Sequence, residues 1–523
     1  MNHRKRLLLT ILVIPISISS VVATARGGLF RSYDLRFDGE LASYHIEDLN
    51  ADGLKDVLLV LNKDKDHPDD KSFALYLQTE TGFSHRPDQV FAVPQDMVLF
   101  DIGDVAGDEK KELVYFTRHG LSYFPFNGRG FDLTARTLLQ TDSIFRRPNP
   151  RTLTSWNFVA DLNGDAVEEI LVPKIFRCAI YFRDKTRDEW HGTEIPLAAA
   201  SRTLGLYDPR FSVGNTAWAV YHTPALLQAD FDADGRKDLI AVYRDSLVAF
   251  CQDERGQFSA TCHHNVPLDF GAVWSGEKIV RTHIGDKSLR NYLMRVLDLD
   301  GDGILDVVAL RISTRESIVN PRSELRFFFG RRDSADHGHG IHFAPEPDQI
   351  LHPRGTLLVL DIFDLNRDGK RDLILPVVKV GLKNLIRIML TKSVEVQAEQ
   401  YLMRDDGLYP EKPDRKNKLV VKFTYRGGAT SPVYEVEDFN GDGLLDILTS
   451  QEERRLLIFW GSRKQLFESS VGARFNIRLP QNGELVKAFD LNRDNKCDVV
   501  VNYGSEQTTR HQPTHVLKIL LKE

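Results

Sequence analysis

What is scarce in this sequence removes several classes of protein at once. Cysteine occurs four times in 523 residues, too thinly for the disulfide framework of small secreted domains. Beyond residue 22 no long apolar run recurs, whereas a membrane-spanning helix needs about 20 apolar residues. Nowhere do apolar residues hold a helical spacing for long, which argues against a helical architecture. Charge of one sign is not in excess either. Lys and Arg number 68 against 74 Asp and Glu, a net −6, so the chain as a whole lacks the basic footprint of a nucleic-acid binder. With 42% hydrophobic residues a large core is available, and a disordered chain is excluded.

The N-terminus reads as an address. Arg4, Lys5 and Arg6 precede the run LLLTILVIPISISSVV from Leu7 to Val22, which Pro15 interrupts. Ala23-Thr24-Ala25 follows, the small-x-small pattern at which export peptidases cut. Residues 1–25 are therefore expected to be a signal peptide and residues 26–523 one domain without a membrane span, secreted, periplasmic or on the cell surface. No cysteine follows the cut, so no lipid anchor is expected. Cys251 and Cys262 flank the turn-rich QDERGQFSAT and either bridge a hairpin or stay thiols. Cys178 and Cys497 are expected to be buried thiols.

What the chain has in abundance is one motif. Five segments share D-x-[DN]-x-D-G-x-x-D: DLNADGLKD from Asp48, DFDADGRKD from Asp230, DLDGDGILD from Asp298, DLNRDGKRD from Asp364 and DFNGDGLLD from Asp438. Three more are imperfect: DVAGDEKKE from Asp104, DLNGDAVEE from Asp161 and DLNRDNKCD from Asp490. The starts lie about 63 residues apart and run almost from end to end, a period that signals a repeat architecture. FSHRPDQVF at Phe83 and FAPEPDQIL at Phe343 match at the same offset within their units, so the unit exceeds the loop.

Each loop is followed by an aliphatic run such as VLLVL after Asp56 or DVVAL at Asp306. A second run comes next, among them FALYL, CAIYF, LRFFF, LIRIML and LLIFW. These are strand-length segments bounded by turn residues. Each unit thus reads as strand A, acidic loop, strand B, strand C and a more variable strand D. Eight such units predict an all-β chain, an eight-bladed β-propeller with four antiparallel strands per blade. After the eighth loop only two strands remain, while LFRSYDLRF (Leu29 to Phe37) is surplus at the start. The N-terminal strand is therefore expected to close the last blade and hide its edge.

Loop pattern and period together resemble the FG-GAP/VCBS repeat family, whose propeller repeats also occur in integrin α-chains. The Gly-Ala-Pro element of that family is missing. Phe329-Gly330 and Trp460-Gly461 echo its Phe-Gly half.

The acidic loops have the chemistry of calcium sites. Calcium takes six to eight oxygens at 2.3–2.6 Å, and acids or Asn at positions 1, 3 and 5 of a tight loop, with a carboxylate at position 9, supply them. The expected ligands are Asp48, Asn50, Asp52 and Asp56; Asp230, Asp232, Asp234 and Asp238; Asp298, Asp300, Asp302 and Asp306; Asp364, Asn366, Asp368 and Asp372; and Asp438, Asn440, Asp442 and Asp446. Asp490, Asn492, Asp494 and Asp498 keep all four, with Asn495 at the glycine position, and Asp161, Asn163, Asp165 and Glu169 do so with Ala166 there. The second loop has Ala106 and Glu109 in place of a ligand and the glycine, and is expected to hold an ion weakly or not at all. That leaves about seven Ca2+ sites. Their recurrence in every blade favours a structural role over a catalytic one.

Long insertions are expected on the face opposite the acidic loops, and two are locally basic. Arg146, Arg147 and Arg151 lie in one and Lys416 and Lys418 in another, a candidate face for an anionic protein or glycan. The function expected is that of a binding or adhesion module. The alternative is a calcium-dependent polysaccharide lyase, since eight-bladed calcium propellers of that activity exist and this fold resembles them. Tyr221, His222, Arg281 and His283 are then the residues to test. His337, His339 and His342 read as a polar hairpin tip rather than a metal site.

Overall fold

The computed structural model describes residues 29–522 apart from 65–69, 150–151, 185–186, 188, 207–209, 211–215, 244–245, 268–288, 315–321, 333–339, 379–392, 423–431, 452–453, 465–466, 481 and 504–514. Eight antiparallel sheets follow one another as the blades of a propeller. The first is built from Glu40–Glu47, Asp56–Asn62, Lys71–Tyr76 and Gln89–Ala92, in spatial order. The seventh repeats the plan with Tyr434–Glu437, Asp446–Ser450, Arg455–Phe459 and Ala473–Asn476. First strands of successive blades touch, Val159–Ala160 against Leu99–Gly103 and Tyr434–Glu437 against Val486–Phe489, as strands around a central channel do. No helix among the described residues is long and apolar enough to cross a membrane.

The burial of each strand follows from its place in the blade. Second strands such as Asp56–Asn62, Glu112–Thr117 and Asp238–Val242 are buried along nearly their whole length. Neighbouring blades cover both faces of a blade's middle, so these strands read as unbroken apolar runs rather than alternating ones. An outer strand such as Arg136–Gln140 is largely exposed. The core accordingly lies between blades. Val57 and Leu59 of the first blade pack with Leu491, Val500 and Ile519 of the eighth, and Val436 and Ile447 of the seventh with Ile374 and Ala398 of the sixth.

The ring closes through the N-terminal strand, as expected. Phe30–Arg36 pairs antiparallel with Val516–Lys522 from Phe30↔Lys522 to Arg36↔Val516, and the sheet continues to Asp498–Asn502 and Val486–Phe489. Leu35 is fully buried in the seam between first and eighth blades. Tyr33 donates its hydroxyl to the Thr81 carbonyl at 2.7 Å and Tyr76 donates to Arg36 at 2.5 Å, so the first blade grips the closing strand. A Cβ on Gly82 would fall 2.1 Å from the Tyr33 ring, and its φ is +95°; only glycine fits there.

The sixth blade corrects two expectations. Its third strand is Ser393–Tyr401, paired Leu373↔Tyr401 with Asp372–Val378; the run LIRIML lies outside the described residues. The fourth strand is Arg415–Lys422, so the segment 403–422 is not the long insertion expected around Lys416 and Lys418. Its first part joins strands C and D, which places it on the acidic-loop face. SVEVQAEQY alternates apolar with polar residues, so the strand lacks the continuous apolar run by which the other inner strands are recognised. Cys178 is buried and Cys497 half-buried; the Cys251–Cys262 alternative and His337 and His339 lie outside the described residues.

Deleting residues 29–38 should leave the backbone groups of Val516–Lys522 unpaired, expose an edge and remove the burial of Leu35, worth about 2 kcal/mol for that side chain alone. Size-exclusion chromatography and thermal melting should show an aggregating, less stable protein. A monomer that melts like the intact chain would contradict the closure.

Candidate functional site

The acidic loops share one backbone geometry, and their own carboxylates hold it. Asp48 at position 1 accepts from the Gly53 amide at 2.9 Å, Asn50 at position 3 from Asp52 at 3.0 Å, and Asp52 at position 5 from Leu54 at 2.8 Å. The fifth loop repeats this with Asp298 on Gly303 and Asp302 on Ile304, the sixth with Asp364 on Gly369, the seventh with Asp438 on Gly443, and the eighth with Asp490 on Asn495. Such side-chain to backbone bonds fold Asp and Asn into tight turns. In all eight loops positions 4 and 6 are both left-handed: Ala51 and Gly53, Gly107 and Glu109, Gly164 and Ala166, Ala233 and Gly235, Gly301 and Gly303, Arg367 and Gly369, Gly441 and Gly443, Arg493 and Asn495. The requirement at position 6 was legible from the glycines. That at position 4 was not, because Ala and Arg occupy it at a steric cost.

Position 9 does something the ligand pattern did not indicate. Its carboxylate is buried in every blade: Asp56, Glu112, Glu169, Asp238, Asp306, Asp372, Asp446 and Asp498. In six blades one oxygen accepts from the amide at position 2 of its own loop and the other from an amide at or just beyond the end of the third strand. Asp306 thus takes Leu299 and Gly330 at 2.8 Å each, and Asp446 takes Phe439 at 2.9 Å and Gly461 at 2.6 Å. Asp56, Asp238, Asp372 and Asp498 do the same with Gln78, Gln252, Met403 and Lys522. This gives the Phe-Gly echoes a physical meaning. A Cβ on Gly330 would lie 2.3 Å from the Leu305 carbonyl oxygen, and one on Gly461 2.6 Å from that of Leu445, so glycine lets the amide reach the carboxylate.

Burial sets the protonation of these groups. It pushes Asp56, Asp306 and Asp498 up to about 7, Asp238, Asp372 and Asp446 to about 6, and Glu169 to about 8, against amide bonds that pull the other way. A nearby cation would reverse the shift.

The oxygens at positions 1, 3 and 5 fit a hard cation. Ligand atoms of Asp230, Asp232 and Asp234, and those of Asp298, Asp300 and Asp302, lie within 4.8 Å of one another. Oxygens bound to one Ca2+ at 2.3–2.6 Å have that spread. In the eighth loop Oδ1 of Asp490 is buried without a hydrogen-bond partner. Such an oxygen is costly unless a donor or ion meets it. The loops also latch to one another around the ring: Lys55 N donates to Leu491 O at 2.8 Å, Lys111 to Leu49 at 3.0 Å, Arg371 to Leu299 at 2.7 Å and Cys497 to Asp438 at 2.9 Å.

Among the described residues the expected basic face does not come together. Arg146 pairs with Asp142 at 2.9 Å and lines a recess with Arg118 and His119 at a turn between second and third strands, on the face opposite the acidic loops. Lys416 and Lys418 stand instead on the outer strand of the sixth blade, 3.8 Å from Glu399 and 3.1 Å from Glu395 on the adjacent strand. Arg151 lies outside the described residues, as do Arg281 and His283. The Tyr221 hydroxyl is engaged with the Arg147 backbone at 3.3 and 3.4 Å, and its ring meets Phe145 edge-on.

Comparison with known proteins bears on the repeat. Residues 438–501 match the FG-GAP-like repeat. That segment runs from the acidic loop of the seventh blade to the second strand of the eighth, and it includes the Trp460-Gly461 echo. No curated protein matches the chain. Among solved structures, an Agrocybe aegerita lectin that recognises non-reducing terminal N-acetylglucosamine is 12% identical, with 86% of this chain and 90% of that one covered and a TM-score of 0.36. The V. cholerae biofilm matrix protein Bap1 is 11% identical over 94% and 91%, with a TM-score of 0.36. The Dos1 propeller is 8% identical over 94% and 95%, with a TM-score of 0.37.

Two outcomes follow from this geometry. Ala166→Gly should stabilise the fold by about 0.5–1 kcal/mol, because it relieves a left-handed alanine while costing some chain entropy; denaturant unfolding measures it. The second concerns pH in chelator. Folded position-9 groups titrate above their unfolded values, so their contribution is full below pH of about 4 and is lost as pH rises through the range of about 6 to 8. Melting temperature in chelator should therefore fall between pH 5 and pH 8, and excess calcium should flatten the slope. A rise over that interval without calcium would show these carboxylates to be ionised in the fold.

Proposed function

We propose that this chain is an exported binding module whose eight-bladed scaffold is rigidified by Ca2+ in about seven acidic loops and which recognises a glycan or protein partner. The observation that carries the reading is repetition: the same oxygen-rich loop stands at the same place in each blade, latched to its neighbours. A cation held at positions 1, 3 and 5 would offset the mutual repulsion of the clustered carboxylates, and the position-9 groups would couple each site to the strands behind it. A need common to all blades is met by such sites, whereas a reaction needs one distinguished place. The role implied for the ions is positional. Calcium, when bound, supplies charge neutralisation, and the residues of each loop hold the channel-side turns in register so that side chains at blade junctions present a fixed surface.

Linkage fixes the size of the effect. At tenfold the dissociation constant, calcium adds about 1.4 kcal/mol per site, or about 10 kcal/mol over seven. Melting in calcium should therefore lie well above melting in chelator, and an unchanged transition would remove the assignment. Asp302→Ala should lower the bound calcium by one ion per chain, while Asp104→Ala in the degenerate loop should leave it unchanged. A glycan array in calcium, run beside an assay for the absorbance of unsaturated uronate, separates a binding module from a polysaccharide lyase.

A further inference from the structure

Between the sixth and seventh blades lies a recess of about 430 Å3 lined by Arg367, Arg415 and Arg463. Asn366, Gln400, Asp442 and Ser462 complete its polar wall. It opens on the acidic-loop face, since Arg367 belongs to the sixth acidic loop, Asp442 to the seventh, and Arg463 follows the third strand of the seventh blade. Three guanidinium groups against one carboxylate make it a local reversal of sign on an acidic face.

Two of the three arginines are held by backbone rather than by acids. Arg367 donates to the Gly443 carbonyl at 2.8 Å across the blade junction, and Arg415 donates to the Arg463 carbonyl at 3.0 Å. Arg367 is also one of the left-handed residues, with φ of 64°, at a position where the other loops place Gly, Ala or, in the eighth, Arg493. Guanidinium groups positioned in this way keep further N–H donors for an oxyanion and meet a carboxylate or sulfate in bidentate fashion. Directly across the strand pair from Arg415 stands Gln400. It is 3% exposed, and its Oε1 has no hydrogen-bond partner. An amide oxygen buried in that state is costly unless a donor arrives. The wall thus asks for two things in one ligand, an anionic group for the arginines and a hydroxyl for Gln400.

We propose that this recess is a subsite for an acidic saccharide, a sugar unit that carries a carboxylate or sulfate beside free hydroxyls. The assignment rests on the binding-module reading and names the ligand class and the place. It also moves the anion site from the insertion face, where the sequence had put it, to the junction of two acidic loops.

The test is calorimetric titration of the full chain in calcium with trigalacturonate, with neutral galactotriose and with inorganic sulfate. Trigalacturonate should bind at least about tenfold more tightly than either of the others. Arg367→Gln and Arg463→Gln should each weaken it by about tenfold, the effect of losing a charge-assisted contact. Gln400→Met, close in volume, should weaken the saccharide and leave sulfate unchanged, and melting of each variant shows that it folds. Equal affinity for sulfate and saccharide would overturn the proposal, as would a folded double variant, Arg367→Gln with Arg463→Gln, that binds trigalacturonate unchanged. A glycan found on the array whose affinity that double variant does not alter would leave the binding module standing and remove this subsite from it. A protein that binds no glycan at all would bring down both.

Discussion

The rest of the structure depends on a carboxylate buried at the head of each second strand. Desolvating an acid is expensive, and the cost is tolerated where several donors converge on it. In six of the eight blades the donors come from two directions, the loop that precedes the strand and the end of the third strand. In those six blades one side chain therefore fixes the first, second and third strands to one another. The loop it anchors then donates a backbone hydrogen bond to the preceding blade of the ring, as from Lys55 to Leu491 or from Arg371 to Leu299. Local turn, blade and ring are tied together by the same atoms.

That arrangement also explains why the repeat tolerates the substitutions it shows. Position 9 accepts Asp or Glu, because what is required is an acceptor that reaches the position-2 amide; Glu112 and Glu169 bond Val105 and Leu162 at 3.0 and 2.8 Å. Position 3 accepts Ala106 in the second loop without loss of the turn, since Asp104 still meets Glu109 at 2.9 Å. Fold and ion binding thus make different demands on one motif. The backbone geometry survives in the loop whose ligand set is depleted.

Much of this was legible beforehand, for identifiable reasons. The blade count followed from counting Asp-rich loops, and the closure from a surplus strand at one end matched to a missing one at the other. Both are matters of sequence order. The sixth blade was misread because Val394, Val396 and Ala398 alternate with Glu395, Gln397 and Glu399, and a polar stripe on a strand near the blade's outer edge looks like a loop. The intended basic face failed for a related reason. Lys416 and Lys418 were grouped with Arg146 by local charge, whereas the fold gives the lysines acidic partners one strand away. The recess that brings Arg367 beside Arg463 joins residues of two blades, and no local pattern marks it.

Charge at that junction ties the two halves of the functional reading together. Asp442 belongs to the recess and to the seventh acidic loop alike, where its Oδ1 accepts from Leu444 at 2.8 Å and its Oδ2 from the Asn440 amide at 3.1 Å. An anion that approaches the three arginines meets this carboxylate as well, and at short range the repulsion offsets part of the attraction. A cation seated on Asp438, Asn440 and Asp442 cancels that repulsion and leaves the recess more positive without moving any of its walls. Binding of calcium and of an acidic ligand would then favour each other through a shared side chain, and linkage requires the coupling to be equal in both directions. An acidic loop beside an anion site is therefore no contradiction. The loop supplies the place where a cation can set the sign of its neighbour.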